Sequence, residues 1–204
     1  MITRQGTLFV VSAPSGAGKT TLCREMRLRL PDLAYSVSVT TRPPRPGEID
    51  GTDFRFVTRA QFEDMVTRGE MAEWATVHTN LYGTPAAPLE NALGQGRDVL
   101  LDIDTQGAAQ LRTRYPDAVL VFVVAPSLGE LEQRLRERRS DSEREIKRRL
   151  ERAREEVMLW KRYDYLIVNR DVKEAMEQLE SIIQAERCRV ARLALTFPDL
   201  EVPS

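Results

Sequence analysis

The sequence predicts an α/β protein in which a parallel sheet is covered by helices, and three observations predict it. Short apolar runs occupy residues 7–12, 99–103, 119–125 and 165–168, and helical patterns separate most of them. Because these runs are apolar throughout instead of alternating, they indicate strands buried on both faces. A glycine-rich loop joins the first run to a helical pattern at 21–30.

The two ends of the chain carry helix signals. The pattern at 21–30 stops at Pro31, and a longer pattern at 172–195 is followed by Phe197 and Pro198. Proline does not continue a helix, so both segments are predicted to end there.

The pattern of apolar and polar residues changes between residues 36 and 88, where we expect an inserted subdomain. Apolar and polar residues alternate at 36–40 and at 54–57, with a proline-rich loop between them. Such alternation favours short antiparallel strands. With a helix predicted at 59–68, the insertion is expected to be a small mixed or antiparallel sheet.

Composition limits the classes of protein to which the chain can belong. Of 204 residues, 42% are hydrophobic and 30% charged, and 30 Lys and Arg face 31 Asp and Glu. This suits one soluble domain and argues against bulk attraction to nucleic acid or an anionic membrane. No apolar stretch approaches the ~20 residues of a membrane helix. Two distant cysteines, Cys23 and Cys188, fit a reducing compartment, so a cytoplasmic location is expected.

Residues 130–156 are highly charged, with ten Lys or Arg and nine Asp or Glu. Two interpretations stay open. The segment is either a solvated pair of helices joined by i,i+4 ion pairs or a mobile, arginine-bearing flap over a phosphate site.

The loop after the first apolar run has the features of a phosphate-binding loop. Gly16 and Gly18 allow a tight turn that directs N–H groups at phosphate oxygens, and the following helix adds its positive end. Lys19 would reach the β- and γ-phosphates, and the Thr20 hydroxyl would complete a Mg²⁺ shell. Ala13 replaces the first glycine of the usual pattern, and a tight turn with a surface lysine is the alternative. The residues predicted to bind ATP here are Ala13, Pro14, Ser15, Gly16, Ala17, Gly18, Lys19, Thr20 and Thr21.

Further motifs indicate what the second substrate is. They are Thr40-Thr41-Arg42 with Arg45, Gly47 and Glu48; Glu73-Trp74-Ala75; Tyr82-Gly83-Thr84; and Leu101-Asp102-Ile103-Asp104 with Gln106 and Gly107. Together with the phosphate loop, these motifs resemble guanylate kinase over about residues 8–187. The resemblance implies a P-loop kinase fold and direct, in-line transfer of phosphate from ATP to GMP or dGMP, with Mg²⁺ as cofactor.

The resemblance also divides the single domain into three parts. It implies a core at 1–35, 89–129 and 153–204, a GMP-binding subdomain at about 36–88 and a helical lid at about 130–152. The partners expected are nucleotides alone, and the chain is either a monomer or a homodimer.

The acceptor phosphate is assigned by resemblance to Arg42 and Arg45, with Tyr82 donating a hydroxyl hydrogen bond. Two arginines on a proline-rich loop suit a doubly charged phosphate, although a solubilising loop is the alternative. Phe54 stands where family members usually have a second tyrosine, so one phosphate contact is missing or replaced.

The guanine base is assigned by resemblance to Glu73, with Ser38, Thr84 and Asp102 near it. A carboxylate that accepts from both N1–H and the N2 amine would favour guanine and repel the bare N1 of adenine. Without the resemblance, Glu73 would be interpreted as a surface carboxylate.

Asp102 and Asp104 lie two residues apart at the end of a predicted strand. Both side chains should therefore face the carboxyl edge of the sheet, where α/β folds bind ligands. One could orient a Mg²⁺-bound water and the other could touch the base, whereas a salt bridge that ends the strand is the alternative. Thr20 and Asp104 are the predicted metal-binding residues. The predicted catalytic residues are Lys19, Arg42, Asp104, Arg138 and Arg149.

Lid and donor-base residues complete the assignment by resemblance. Arg134, Arg138 and Arg149 correspond to lid arginines, but Glu137 and Arg139 replace flanking glycines, which predicts a stiffer lid tip. Asn169 corresponds to an asparagine that contacts the adenine of ATP, or it begins a turn or caps a helix. Arg170 replaces a common aspartate and is left unassigned.

Two other functions compete with this interpretation. One is a related kinase that phosphorylates another acceptor, such as a sugar phosphate, for which Phe54 leaves room. The other is an interaction module that has lost catalysis. Lys19, Thr20 and three lid arginines argue against the second, because such modules typically lack parts of the ATP site.

Overall fold

The computed structural model describes residues 2–77, 79–137 and 143–195. Its strands are β1 (Ile2–Arg4), β2 (Leu8–Ser12), β3 (Ala34–Tyr35), β4 (Val39–Thr40), β5 (Arg55–Phe56), β6 (Met71–Val77), β7 (Asn80–Pro85), β8 (Val99–Asp102), β9 (Val119–Val124), β10 (Tyr165–Val168) and β11 (Leu193–Leu195). Its α-helices are α1 (Lys19–Arg29), α2 (Arg59–Thr67), α3 (Ala86–Gly94), α4 (Thr105–Arg114), α5 (Leu128–Glu137), α6 (Glu143–Val157) and α7 (Val172–Arg187). Short 3-10 helices occupy Met158–Arg162 and Val190–Arg192. Within these residues, no helix combines the length and apolarity that crossing a membrane requires.

Five parallel strands form the main sheet, in the order β10-β9-β2-β8-β3. Four of them are the strands predicted from the apolar runs, so the α/β class with a parallel sheet covered by helices is confirmed. The fifth, β3, was not predicted, because two half-buried residues leave no pattern. It is held at the edge by Ala34, whose N–H donates to the Asp98 carbonyl at 2.8 Å.

Both faces of the main sheet are covered, which explains why its strands are apolar throughout. In β2, Phe9 and Val11 pack with residues of α1 and α7, whereas Leu8 and Val10 pack with residues of α3 and α4. Fully burying one such side chain contributes about 1.5–3 kcal/mol. A polar residue at any of these positions would lose that contribution on one face or the other.

A second sheet, with strand order β5-β4-β7-β6, forms the insertion. Strands β4 and β5 are parallel and the other pairs are antiparallel, so this sheet is mixed. The helix predicted at 59–68 is α2, which begins with a capping box formed by Thr58 and Gln61. Such a cap typically contributes about 1 kcal/mol, and it fixes where the chain leaves β5.

Helix α4 of the core joins this second sheet. Gln110 donates through Nε2 to the Trp74 carbonyl at 2.7 Å and accepts at Oε1 from the Trp74 N–H at 3.1 Å. One turn later, Arg114 donates to the Met71 carbonyl at 2.8 Å. Strand β6 is therefore held against α4 at two points. Pro88, the expected end of the insertion, lies within α3.

The C-terminal helix is shorter than predicted. Helix α7 ends at Arg187, and the segment expected to be helical to residue 195 continues as a 3-10 helix and then as β11, antiparallel to β1. Arg192 donates to the Glu186 carboxylate and to the Asp117 carbonyl, which turns the chain back toward β1. Long-range pairing here overrides the local helical pattern, and β1 was missed for the same reason.

The charged segment forms two packed helices, α5 and α6. Leu131, Leu135 and Ala153 are buried between them and the core. Exposed side chains carry i,i+4 ion pairs, such as Arg136 with Glu132 at 2.8 Å. These pairs agree with the interpretation of the segment as a solvated pair of helices. Residues 138–142 lie outside the described part of the chain.

Candidate active site

A cavity of about 460 Å³ lies between the carboxyl edge of the main sheet and the second sheet. Seven of the predicted site residues line it, namely Lys19, Thr20, Ser38, Glu73, Tyr82, Asp102 and Asp104. The core supplies four of these and the insertion supplies three. The cleft therefore collects side chains from segments far apart in the sequence.

The phosphate loop runs from the end of β2 to the start of α1. Gly16 and Gly18 have φ angles of 93° and 95°, a conformation that favours glycine. Gly18 caps α1 without any side-chain hydrogen bond, so the amides at the helix start are left for an anion. Ala13, which replaces the usual first glycine, packs its side chain against hydrophobic clusters on both sides of the loop.

Lys19 points toward the end of β8. Its Nζ lies 2.7 Å from Oδ1 of Asp102 and donates to the Ile103 carbonyl at 2.8 Å. Burial lowers the pKa of Lys19, but the charge and hydrogen bond of Asp102 outweigh it, so the pKa is raised above its usual value. The ammonium is therefore kept charged. A nucleotide phosphate at the loop would compete with Asp102 for it.

Asp104 caps helix α4 and keeps one oxygen free. Its Oδ1 accepts from the N–H groups of Gln106 and Gly107 at 3.0 and 2.9 Å. Its Oδ2 is buried and accepts no hydrogen bond among the described residues. A free, buried carboxylate oxygen that shares the cleft with the Thr20 hydroxyl fits Mg²⁺, which keeps several waters and takes few protein ligands. The part of the chain that the structure describes contains no cluster of three or more His, Cys, Asp or Glu suited to hold a metal.

Glu73 is a buried carboxylate on β6, opposite Thr84 on β7. The Thr84 hydroxyl donates to its Oε1 at 2.7 Å. Burial raises the pKa of Glu73 from its usual value near 4.5 to about 7; the hydrogen bond from Thr84 lowers it, and the charge of Asp104 raises it, by smaller amounts. The surface position weighed above for Glu73 is therefore wrong.

A glycine of α4 makes room for this carboxylate. A Cβ at Gly107 would lie 2.3 Å from Oε2 of Glu73, closer than atoms can approach. Gly107 belongs to the motif that follows β8, yet it supports a residue on the other sheet. Glycine is unfavourable inside a helix such as α4 unless packing requires it, and the contact with Glu73 is such a requirement.

The titration of Glu73 predicts that GMP affinity depends on pH. By the resemblance given above, Glu73 would accept from two guanine N–H groups as a carboxylate, and a pKa of about 7 leaves it mostly protonated at pH 6. We expect the Kd for GMP, measured by calorimetry without ATP, to rise about tenfold between pH 8 and pH 6. The Glu73→Gln variant, which cannot titrate there, should show only the smaller change due to the GMP phosphate itself. Equal pH dependence in both proteins would contradict the assignment.

Arg42 is buried and fully engaged in a pair with Glu48. Two hydrogen bonds of 2.6 Å join the guanidinium to the carboxylate, and the Arg45 N–H adds a third contact to Glu48 at 2.7 Å. The hydrogen bond from Arg42 lowers the pKa of Glu48 to about 2. Glu48 thus occupies the place at the Arg42 guanidinium that a second anion would have to enter. The motif alone does not indicate this pairing. An acidic residue in the same loop as two arginines was the available signal.

Aromatic rings surround the Arg42 guanidinium. Its central carbon lies 5.0 Å from the ring centroid of Phe54 and 5.6 Å from that of Phe56. The Phe54 ring also meets Tyr82 edge-on, with centroids 6.1 Å apart. Phe54 therefore lacks the hydroxyl of a tyrosine but keeps the ring contact with the cation, a type of interaction that contributes about 0.5–2 kcal/mol.

Restoring the hydroxyl should strengthen GMP binding. Phe54 lines the cavity, so Phe54→Tyr would add a donor beside Tyr82. If the GMP phosphate binds there, as the resemblance implies, a hydrogen bond to it would lower the KM for GMP about tenfold. Steady-state kinetics with varied GMP would measure this, with kcat little changed. Phe56→Tyr, which adds the same hydroxyl to a ring outside the cavity lining, is the control. Equal KM values for the two variants would refute the prediction.

Besides Arg42 and the rest of the phosphate loop, five described site residues lie outside the cavity lining. Thr84 is buried beneath Glu73, whereas Arg45 is exposed at the loop tip. On the lid helices, Arg134 pairs with Glu130 and Arg149 lies 3.6 Å from the Glu145 carboxylate. Asn169 is buried against the phosphate loop. Arg138, predicted to be catalytic, lies outside the described residues.

The main sheet, the phosphate loop and the facing cleft define a phosphotransferase of the phosphate-loop kinase class. The sequence model of the family described as guanylate kinase matches residues 5–186. The chain belongs to the guanylate kinase family.

Similar proteins agree over nearly the whole length. The chain is 55% identical to a guanylate kinase of Syntrophotalea carbinolica, covering 93% of this chain and 90% of that one. It is 52% identical to a guanylate kinase of Bradyrhizobium diazoefficiens, covering 94% and 88%. The crystal structure of guanylate kinase from Anaplasma phagocytophilum superimposes with a TM-score of 0.80 at 34% identity, covering 95% of this chain and 92% of that one. The kinase interpretation of the fold is therefore confirmed.

Proposed function

We propose that the protein transfers the γ-phosphate of ATP directly to GMP or dGMP, giving ADP and GDP or dGDP. The observation that carries the proposal is that Glu73, from the insertion, and Lys19, from the core, line one cavity. One is a buried carboxylate suited to a guanine edge. The other is a charged ammonium at the start of a helix whose amides are free. Membership in the guanylate kinase family supports the same pair of substrates.

The acceptor would be held through its phosphate and its base. Arg42 would exchange Glu48 for the phosphate, with Arg45 and Tyr82 assisting it. Glu73 would accept from N1–H and the N2 amine, with Ser38, Thr84 and Asp102 around the ring. None of these contacts requires a 2′-hydroxyl, which is why dGMP is included as an acceptor. A base that cannot donate to the buried carboxylate would leave it unpaired, so it is strongly disfavoured.

The donor would bind with its phosphates on the loop of residues 13–21. Lys19 and the amides at the start of α1 would bind the β- and γ-phosphates, while Arg134, Arg138 and Arg149 would approach from the lid. Mg²⁺, when bound, would neutralise charge on the phosphate oxygens, and Thr20 and Asp104 are the residues that would hold it. In-line transfer needs little covalent chemistry from the protein, so these residues act by positioning and charge.

The parts of the chain would divide the work. The core at 1–35, 89–129 and 153–204 would carry the phosphate loop, the insertion at 36–88 would carry GMP, and the lid at 130–152 would exclude water, a competing acceptor. A reducing compartment such as the cytoplasm fits the two free cysteines, and the assembly is proposed as monomer or homodimer.

An ADP-release assay with Mg-ATP tests the proposal. The panel of acceptors is GMP, dGMP, AMP, CMP, UMP and a sugar phosphate. We expect turnover with GMP and dGMP at least about a hundredfold above the other acceptors, since buried polar groups reject mismatched partners by this much or more. Faster turnover of the sugar phosphate than of GMP would show that a sugar phosphate is the acceptor. No turnover of any acceptor would favour a binding module.

A further inference from the structure

Asn169 follows β10 directly, and its side chain points into the protein. Its backbone N–H donates to the Val124 carbonyl at 2.8 Å, which continues the pairing of β9 with β10 by one residue. The residue is 1% exposed. A buried amide is expected to have hydrogen-bond partners, and the position of these partners indicates its role.

The NH2 group of the Asn169 side chain contacts the phosphate loop. Its Nδ2 donates to the Ala17 carbonyl at 2.8 Å. It also fills the space beside Gly18, where a Cβ would lie 2.4 Å from Nδ2. Gly18 has a φ of 95° and immediately precedes Lys19, the first residue of α1. Asn169 therefore contacts the turn that delivers both the helix amides and the lysine to the phosphates.

The backbone of Asn169 links the same loop to helix α5. Its carbonyl accepts from Nη2 of Arg134 at 2.9 Å. Leu131 and Leu135 of α5 lie beneath Gly16, where a Cβ would be 3.1 Å from the Leu135 side chain. Residue 169 thus lies between the phosphate loop and the lid arginine predicted to bind ATP.

We propose that Asn169 is a positioning residue for the donor phosphates, which holds the phosphate loop in its binding conformation and joins that loop to Arg134. The proposal rests on the function proposed above and deepens it. It differs from the adenine contact implied by resemblance, because one N–H of the amide donates to Ala17 and the side chain is buried against the phosphate loop. An adenine contact would have to use the second N–H of Nδ2 or Oδ1, which accepts no hydrogen bond among the described residues.

Two variants and three donor-site ligands separate these roles. Asn169→Ala removes the amide, and Asn169→Asp keeps its shape but replaces the donor with an acceptor. The ligands are ATP, ITP, which has no 6-amino group, and inorganic tripolyphosphate, which has no base. We expect the affinity for all three to fall by the same factor, about 10- to 100-fold, because small errors in positioning have effects of this size. Affinity for GMP should change less than twofold.

Controls distinguish a general loss of structure from a specific displacement of the phosphate loop. Asn91→Asp makes the same chemical change at an exposed site on α3. Weakening of ATP alone, with ITP and tripolyphosphate unaffected, would assign Asn169 to adenine and overturn the proposal. Weakening of GMP to the same extent as the donor ligands would also overturn it, since that result indicates a purely structural role.

The Asn169→Asp variant offers a second readout. When protonated, its carboxyl can again donate to the Ala17 carbonyl, and burial beside that carbonyl raises the pKa of an aspartate. The affinity for tripolyphosphate, taken as a ratio to the unmodified protein at each pH, should therefore recover severalfold between pH 8 and pH 5.5. A constant ratio would contradict the positioning role.

The link to Arg134 is tested by a double-mutant cycle. Asn169→Ala keeps the carbonyl to which Arg134 donates but removes the side-chain bond to Ala17 that fixes its position. We therefore expect the effects of Asn169→Ala and Arg134→Ala on ATP affinity to be non-additive by at least about threefold, since residues in one contact network couple. Additive effects would remove the link. Lack of turnover in the unmodified protein would refute the proposed function, whereas normal turnover with unaffected Asn169 variants would refute only this inference.

Discussion

Replacing Lys19 with alanine is expected to lower kcat by about 10³-fold or more, the range seen when a cation that stabilises a transferring phosphoryl group is removed. Lys19 is held at the start of α1, charged and 2.7 Å from Asp102, so its charge is in place before a nucleotide arrives. Under the proposed mechanism, its removal would take away positive charge where negative charge develops in the transition state. Steady-state ADP release with saturating ATP and GMP measures the effect.

Two further variants make this result interpretable. Arg29→Ala removes a positive charge from the same helix, at a side chain that pairs with Glu180 of α7 instead of lining the cleft, and should leave kcat nearly unchanged. The pair Lys19→Ala with Asp102→Asn tests whether the loss comes from an unpaired Asp102. Recovery of turnover in the double variant, or near-normal turnover of Lys19→Ala itself, would show that the phosphate loop has been misassigned.

Replacing Glu73 with glutamine is expected to lower kcat/KM for GMP by about 10²-fold and to reduce the preference for GMP over AMP by more. A carboxylate can accept two hydrogen bonds from guanine, whereas an amide presents one donor and one acceptor to the same edge. The variant also lacks the repulsion between a carboxylate and the bare N1 of adenine, because the amide N–H can donate to that nitrogen. Competition between GMP and AMP in one assay measures the preference directly.

The matched control for Glu73 is Glu70→Gln, at an exposed residue that pairs with Arg68 just before β6. This variant makes the same chemical change on the same segment and should leave the preference intact. Unchanged discrimination against AMP in Glu73→Gln would remove Glu73 from base recognition, and the buried carboxylate would then need another role.

Four strands of the main sheet were predictable because a strand buried on both faces appears in the sequence as a continuous apolar run. The run at 165–168 coincides with β10, and those at 7–12 and 99–103 differ from β2 and β8 by one residue. Elements that depend on distant partners were not predictable. Strand β11 forms because β1 lies beside it, and no pattern within residues 190–195 distinguishes such a strand from the end of a helix.

The motifs predicted which residues line the cleft better than how they are paired. Glu73, Asp102 and Asp104 were expected near one another, and they share the cavity. The engagement of Arg42 by Glu48 was not foreseen, because a motif lists residues without saying which ones neutralise each other. The direction of the Asn169 side chain was not foreseen either, since it depends on a loop 152 positions away in the sequence.

The two hydrogen bonds between Gln110 and Trp74 have a consequence for the order of events in the cleft. They clamp β6 to the core, next to Glu73, whereas the strands that lead to Arg42 lie farther along the sheet order β5-β4-β7-β6. If that sheet rotates as a rigid body, β6 lies at the rotation axis, and the displacement of each strand grows with its distance from β6. Under the proposed function, Glu73 would then stay almost still while Arg42 moves, so the base would be recognised before its phosphate approaches the donor.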